Sequence, residues 1–293
     1  MQPSSHSREW ATKRVFQRQL HILATRFTIQ TNDPGLHERL DYLTPDAIQD
    51  VPATVDCLID VTRTESGAGA GYRVSVTGFP DAHRASLTEA YDLLFMRLHD
   101  TARAALPEHI SIHAASLTHA GRVVLVVGPK RAGKTTFALH LLSQNLAVTG
   151  DEMVLLAQGI AVAFPRRFYV RETTVNLLPR LAPLRDNAPF THSLTEGRLL
   201  ALDPTMLGRP WRITPAEVAL CLYLHPNHAG SSSIVACSKT EMVRHVLGQC
   251  TAPPSGRSDW VADLCQTLNR AEAATLNFGD LGSATVALLK ILG

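Results

Sequence analysis

The sequence predicts an α/β fold: a mixed sheet flanked by helices over 106–293, preceded over 1–105 by a small α+β domain that ends in a connecting helix. Three observations carry this reading. Val123-Val124-Leu125-Val126-Val127 is an apolar, mostly β-branched run of the kind that forms a strand buried on both faces. It passes directly into Gly128-Pro129-Lys130-Arg131-Ala132-Gly133-Lys134-Thr135-Thr136 and then into Phe137-Ala138-Leu139-His140-Leu141-Leu142, whose apolar residues recur at helical spacing. Val218-Ala219-Leu220-Cys221-Leu222-Tyr223-Leu224 supplies a second uninterrupted apolar run, consistent with a central strand.

Composition narrows the classes. The chain has 293 residues, 45% of them hydrophobic, enough for one large domain or two of ordinary size. Its 28 Lys and Arg against 26 Asp and Glu leave a formal charge of +2, so no global field points to nucleic acid or an anionic membrane as partner. The five cysteines are scattered, odd in number and without a Cys-x-x-Cys pair, which fits thiols in a reducing compartment. No apolar leader or membrane-length apolar run is found, and the expected location is the cytoplasm.

Taken in order, residues up to about 19 read as a frayed or docking helix carrying Arg8, Lys13, Arg14 and Arg18. The segment 20–31 reads as one strand closed by the turn residues Asn32-Asp33-Pro34-Gly35. Strands follow at 55–61 and 72–76, separated by the small-residue loop 66–71. Ser86-Leu87-Thr88-Glu89 is a capping box opening a helix over 86–105, which Pro107 stops. Residues 109–117 read as a strand, and Thr118-His119-Ala120-Gly121 as the hairpin turn before the run at 123. After the helix, a strand at 146–149 ends at Asp151-Glu152, and short strands follow at 153–156 and 160–164. Residues 165–212, rich in Pro and Arg, read as loops and short helices; Gly230-Ser231-Ser232-Ser233 reads as a flexible turn. Helices are expected over 238–248, opened by a second capping box at Ser238-Lys239-Thr240-Glu241, and over 258–270 and 283–292.

The chemistry gathers at 128–136. Gly128 and Gly133 permit backbone angles closed to other residues, so consecutive N–H groups can turn inward while the new helix aims its positive end at the same point. This is the Gly-x-x-x-x-Gly-Lys-Thr spacing of a Walker A phosphate-binding loop: Lys134 would reach the β- and γ-phosphates of ATP, and the Thr135 hydroxyl would help coordinate Mg2+. Pro129, Lys130, Arg131, Ala132 and Thr136 complete the binding segment. A carboxylate near the γ-phosphate must hold the ion or accept the proton of an attacking hydroxyl, and Asp151-Glu152, at the end of the next strand, is the obvious supplier. His225-Pro226-Asn227-His228 holds two imidazoles but no apparent third metal ligand, and its Pro-Asn turn explains it.

His113-Ala114-Ala115, the hairpin, the 128–136 segment and Val148-Thr149-Gly150-Asp151-Glu152-Met153-Val154 are together similar, in order and spacing, to the catalytic domain of HPr kinase/phosphorylase and its HPr-kinase-related bacterial relatives. The resemblance covers 109–156 and implies a P-loop kinase core of HPr-kinase type. It implies that Asp151 takes the proton from a serine hydroxyl, that Glu152 supports the metal ion and that His113 lies near the transferred phosphate; an ordinary hydrogen-bonded strand histidine is the other reading of His113. The acceptor would be a protein, a modified peptide or a small molecule such as an amino acid or sugar, and a nucleotide-dependent switch is a further alternative. Two departures stand out. Lys130 and Arg131 occupy positions where the family has small residues, and the family's Glu-x-Arg-Gly signature is absent, its nearest counterpart being Arg166-Arg167-Phe168-Tyr169-Val170-Arg171-Glu172. Arg167 or Arg171 is the expected stabiliser of developing charge. In relatives of this kind a small extra domain recognises the acceptor or builds a homo-oligomer, and residues 1–100 do not say which.

Overall fold

Alternation of apolar and polar residues shapes the first sheet. In the computed structural model, which describes residues 15–43, 47–64, 71–185, 188, 190–193, 197–227 and 230–293, the chain enters strand β1 at once (Phe16–Ile22). Leu20 and Ile22 are buried while Gln19 and His21 are exposed, a period of two that a helix does not have; residues 16–19 are therefore strand where a helix is expected, and the part of that expectation up to residue 14 lies outside the described residues. Arg8, Lys13 and Arg14 lie outside the described residues. The single strand expected over 20–31 is split by a turn at Leu23-Ala24, where Leu23 takes φ 50°, and β2 (Thr25–Thr31) folds back antiparallel on β1. Asn32-Asp33-Pro34-Gly35 opens helix α1 (Pro34–Leu43) instead of merely closing a strand: Asp33 Oδ1 accepts from Leu36 N at 3.0 Å, and Pro34 takes the first helical position, where a missing N–H costs nothing.

The short β3 (Ile48–Gln49), then β4 (Val55–Thr64), β5 (Gly71–Val76) and β6 (Ala82–Arg84) follow, and the sheet has the order β1-β2-β4-β5-β6 with only β2 and β4 parallel. The loop expected at 66–71 lies almost entirely outside the described residues. Helix α2 (Leu87–Ala104) begins where the capping box predicts: Ser86 accepts from Glu89 N, and the Glu89 carboxylate reaches back to Ala85 N at 3.0 Å. It buries Ala90, Leu94, Leu98 and Ala102 against the sheet.

The strand expected over 109–117 is two strands, β7 (Ile110–Ile112) and β8 (Ala115–His119), divided at His113-Ala114 because each pairs with a different neighbour. A tight turn at Ala120-Gly121, both at positive φ, returns the chain as β9 (Arg122–Val127). Then come helix α3 (Lys134–Ser143), β10 (Ala147–Gly150), β11 (Val154–Ala157) and β12 (Ile160–Ala163). The described residues within 165–212 hold more regular structure than their composition suggests. They hold β13 (Phe168–Arg171), helix α4 (Glu172–Asn176), β14 (Phe190–Ser193) and β15 (Gly197–Leu202), which form an antiparallel sheet of order β13-β15-β14, and then β16 (Arg212–Ile213). Strands this short leave little periodicity to read, although Phe168, Val170, Leu200 and Leu202 all point into the core.

The last part contains β17 (Ala216–Pro226), β18 (Ser233–Ala236), α5 (Lys239–Leu247), β19 (Cys250–Thr251), α6 (Trp260–Arg270), β20 (Glu272–Phe278) and α7 (Leu281–Leu292). The Gly230–Ser233 stretch is tied down: Ser232 donates to Asp280 O and accepts from Gly279 N, and Ser233 starts β18. His225 ends up within β17, while His228 lies outside the described residues.

These elements make a mixed sheet of order β10-β8-β9-β17 that forks along β17. Its first residues pair with β12, leading on to β11, β7 and β19, and its remainder pairs with β20 and then β18. β9, β17 and β20 are mutually parallel; β10, antiparallel to β8 as β8 is to β9, runs the same way. Four strands therefore deliver their C-terminal ends to one edge. Val124, Val126, Leu222 and Leu276 pack on the side of α3 and α7, and Val123, Leu125, Val127 and Cys221 on the side of α5 and α6, which is why the β9 run is apolar without interruption. Leu155, Phe164, Trp211 and Ile213 pack instead with the first sheet, and β16 pairs with β3. Among the described residues, no helix is long and apolar enough to cross a membrane.

Candidate active site

The turn between β9 and α3 lies at that edge, and its two glycines are fixed by what presses on them. A Cβ on Gly128 would stand 2.9 Å from Leu224 O of β17; one on Gly133 would stand 2.8 Å from the Phe278 ring at the end of β20, and Gly133 is at φ 96°. The neighbouring parallel strands thus hold the turn against the sheet. Pro129, Lys130 and Arg131 are exposed at its tip, Arg131 at φ 67°, and Ala132 is buried beneath it. Lys134 is only 6% exposed, and its Nζ donates to Gly128 O at 2.9 Å and Pro129 O at 3.2 Å. Burial pulls its pKa down, against the opposing charges of Asp151 and Glu152.

The first turn of α3 is bare of side-chain capping, whereas Ser86, Ser238 and Asp280 cap α2, α5 and α7. The leading N–H groups of α3 are therefore available to an anion at the positive end of the helix, with Thr135 and Thr136 half-buried beside them.

Asp151 lies beside this helix end. It is 5% exposed, and its carboxylate accepts a hydrogen bond from the Thr135 hydroxyl. Burial is the main influence on its acidity and pushes its pKa up to about 6; the Glu152 charge adds to this, while the Thr135 hydroxyl, the Glu152 N–H and Arg166 oppose it. The backbone leading to it is braced. Thr149 bonds through its hydroxyl to Ser116 Oγ at 2.9 Å, and its carbonyl accepts from the buried Trp211 Nε1 at 2.8 Å. Glu152, exposed, takes φ 79°, so two non-glycine residues of this region, Arg131 and Glu152, hold left-handed backbone that costs roughly 1 kcal/mol each.

His113, in the break between β7 and β8, completes the acidic side: its Nδ1 is 3.1 Å from Glu152 O and 3.7 Å from Glu152 Oε1. Burial, Lys134 and Arg166 lower its pKa against the pull of Glu152, so the neutral imidazole is favoured. Lys134, Thr135, Asp151, Glu152 and His113 are thus brought together from three segments of chain. The two expected arginines are placed otherwise. Arg167 is buried in an ion pair with Asp203, Nε to Oδ2 3.1 Å, and Arg171 is exposed where β13 passes into α4. The arginine whose charge acts on both Asp151 and His113 is Arg166, which nothing in the run Pro165-Arg166-Arg167 distinguishes beforehand. Trp211, Leu224 and Phe278 were equally invisible as site supports, since their roles arise from tertiary contact.

Chemically, the arrangement offers a cation and free backbone donors for phosphate oxygens, a hydroxyl and two carboxylates as hard oxygen ligands for a divalent ion, and one carboxyl with proton affinity near neutrality. The glycines let the turn lie against β17 and β20, and the uncapped start of α3 with Lys134 beside it leaves donors for an anion, so a magnesium nucleotide suits the residues present.

No family model matches the chain, and no curated protein is significantly similar to it. A solved structure described as the Hpr(Ser) kinase/phosphatase from Coxiella burnetii is similar over 62% of this chain and 92% of its own, at 12% identity and a TM-score of 0.29. A likeness of that size says nothing about activity.

Proposed function

We propose that this protein is an ATP-dependent phosphotransferase that moves the γ-phosphoryl group to an alcohol, and that it works in the cytoplasm. The observation that carries the reading is the hydrogen bond from Thr135, on the first turn of α3, to the buried Asp151: it puts a basic carboxylate at the mouth of a lysine-bearing, glycine-flanked turn. The segment Gly128, Pro129, Lys130, Arg131, Ala132, Gly133, Lys134, Thr135 and Thr136 would cradle the triphosphate through the backbone N–H groups of its residues other than Pro129, with Lys134 leaving the loop carbonyls for phosphate oxygens. Thr135, Asp151 and Glu152 would hold Mg2+, which when bound neutralises charge on the phosphates.

In the transfer, Asp151 accepts the proton of the attacking hydroxyl as the new oxygen–phosphorus bond forms and the bond to the β-phosphate oxygen breaks, releasing ADP. A base whose pKa lies near ambient pH combines availability with proton affinity. Positioning and charge neutralisation supply most of the remaining catalysis. Motif order favours a serine of a protein or modified peptide as acceptor.

The test is incubation with magnesium ATP, followed by ADP release and isothermal titration with the nucleotide. Wild type should bind and turn ATP over slowly without acceptor, and Lys134→Ala should lose at least about tenfold in affinity, the scale of a charge-assisted phosphate contact. Failure of a folded wild type to bind would end the reading; tight binding with no turnover under any acceptor would replace it with a nucleotide-dependent switch.

A further inference from the structure

Arg166 sits in the short link between β12 and β13, with Pro165 before it and the ion-paired Arg167 after it. Its guanidinium lies 5.1 Å from the ring centroid of Phe95 on α2 and 4.8 Å from that of Tyr169 on β13, so two aromatic faces from different elements clamp it. The clamp is itself supported: Phe95 packs edge-on to Tyr169 at 5.9 Å and against His99 at 4.1 Å, and His99 stacks on Phe164 at 4.9 Å. The Nε atoms of Arg166 and Arg167 are both buried without a hydrogen bond, but Arg167 Nε has the Asp203 carboxylate 3.1 Å away as ion-pair partner. An arginine held by aromatic faces keeps its planar fork of donors for something else. The end of β12 that leads to Arg166 runs against the acidic segment, with Phe164 N donating to Met153 O at 3.0 Å and Ala163 pressing on Gly150, and the charge of Arg166 acts on His99, His113, Tyr169 and Asp151.

We propose that Arg166 is a catalytic residue of the phosphotransferase site, the cation that faces the transferred phosphoryl group, and that Phe95 is a positioning residue through which α2 sets its orientation. The inference rests on the phosphotransferase reading. It gives the N-terminal part a stake in the chemistry: α2 belongs to the first sheet's core, yet its Phe95 lies against the guanidinium whose charge acts on Asp151. Arg167 is thereby assigned to holding the β13 link through Asp203, and Arg166 to the reaction.

The experiment measures two quantities on full-length protein: affinity for magnesium ATP by titration calorimetry, and the rate of ADP release at saturating magnesium ATP. For Arg166→Gln the affinity should stay within about threefold while the rate drops by about a thousandfold, the lower end of what a transition-state arginine supplies. Arg166→Lys, which keeps the charge but not the planar fork, should recover about tenfold of that loss, and Phe95→Leu should lower the rate about tenfold with unchanged affinity. Circular dichroism melting confirms that each variant is folded. Should Arg166→Gln turn over like wild type, or should affinity fall in step with rate, Arg166 is not the transition-state cation, although the phosphotransferase reading survives. Should wild type neither bind nor turn over magnesium ATP, both readings fall together.

Discussion

Two aspartates of this chain are almost equally hidden, Asp33 at 4% and Asp151 at 5% exposure, and their surroundings pull them in opposite directions. Around Asp33, at the start of α1, burial is outweighed by donors: the Tyr72 hydroxyl at 2.7 Å, the N–H groups of Leu36 and Gly35, and the Arg63 guanidinium at 3.7 Å, so its carboxyl is more acidic than usual. Around Asp151, burial wins. Its donors are few and the neighbouring Glu152 repels its charge, leaving it at about 6. A buried carboxylate at a helix start is satisfied by its donors; one with few donors retains its appetite for a proton, as a general base would need.

The widest separation between the two should come from replacing each. Asp151→Asn should reduce ADP release by about a thousandfold, the usual scale for losing a general base, with the fold intact by circular dichroism. Asp33→Ala should leave the rate per folded molecule alone and cost about 2–4 kcal/mol in urea unfolding, because the Tyr72 hydroxyl and Leu36 N lose a buried acceptor together. If instead Asp33→Ala abolishes turnover in folded protein, the division between the two roles is wrong.

Smaller, and of opposite sign, are the pH effects, measured as urea midpoints without nucleotide or metal. Asp151 has a folded pKa of about 6 against roughly 3.9 unfolded, so its protonated form favours the native state; that contribution is complete below about pH 4 and disappears as pH rises through 6. Asp151→Asn should therefore gain on the order of 2 kcal/mol over wild type at pH 7.5, and the gain should vanish near pH 4. Asp33, with its pKa lowered, contributes above the ordinary carboxylate range and loses that contribution as pH falls through its folded value, so Asp33→Asn should converge on wild type only in stronger acid.

The smallest effect tests whether the support of Asp151 differs from ordinary framework. Trp211→Phe removes the indole donor to Thr149 O; it should cost about 1 kcal/mol of stability and also slow turnover, whereas Ser86→Ala should cost about the same through α2 and leave turnover unchanged. Equal rates in both variants would show that the indole merely packs.

Local rules made much of this visible beforehand. The β9 run, the turn and α3, the capping at Ser86 and Ser238, and the acidic pair each declare themselves within a few residues of sequence, because apolar period, glycine and cap are short-range signals. β20 escaped notice because Glu272-Ala273-Ala274 continues the composition of α6, and only pairing with β17 makes a strand of it. β13 and β15 were lost among Pro and Arg for the same reason. At the site, Arg166 and Arg167 are adjacent and chemically identical. What separates them is Asp203, 36 positions downstream of Arg167, on one side and two aromatic rings on the other, of which Tyr169 is a near neighbour in sequence but Phe95 lies 71 positions upstream of Arg166.

The surface that Phe164 and Trp211 share with Leu94 and the first sheet has a practical outcome for anyone who divides this chain near residue 105. The later fragment would keep its glycine-flanked turn but carry a bare indole and phenyl ring into water, along with an unmatched β16. Such a half would be expected to cling to its own copies, and its inactivity would report aggregation before it reported anything about the missing helix.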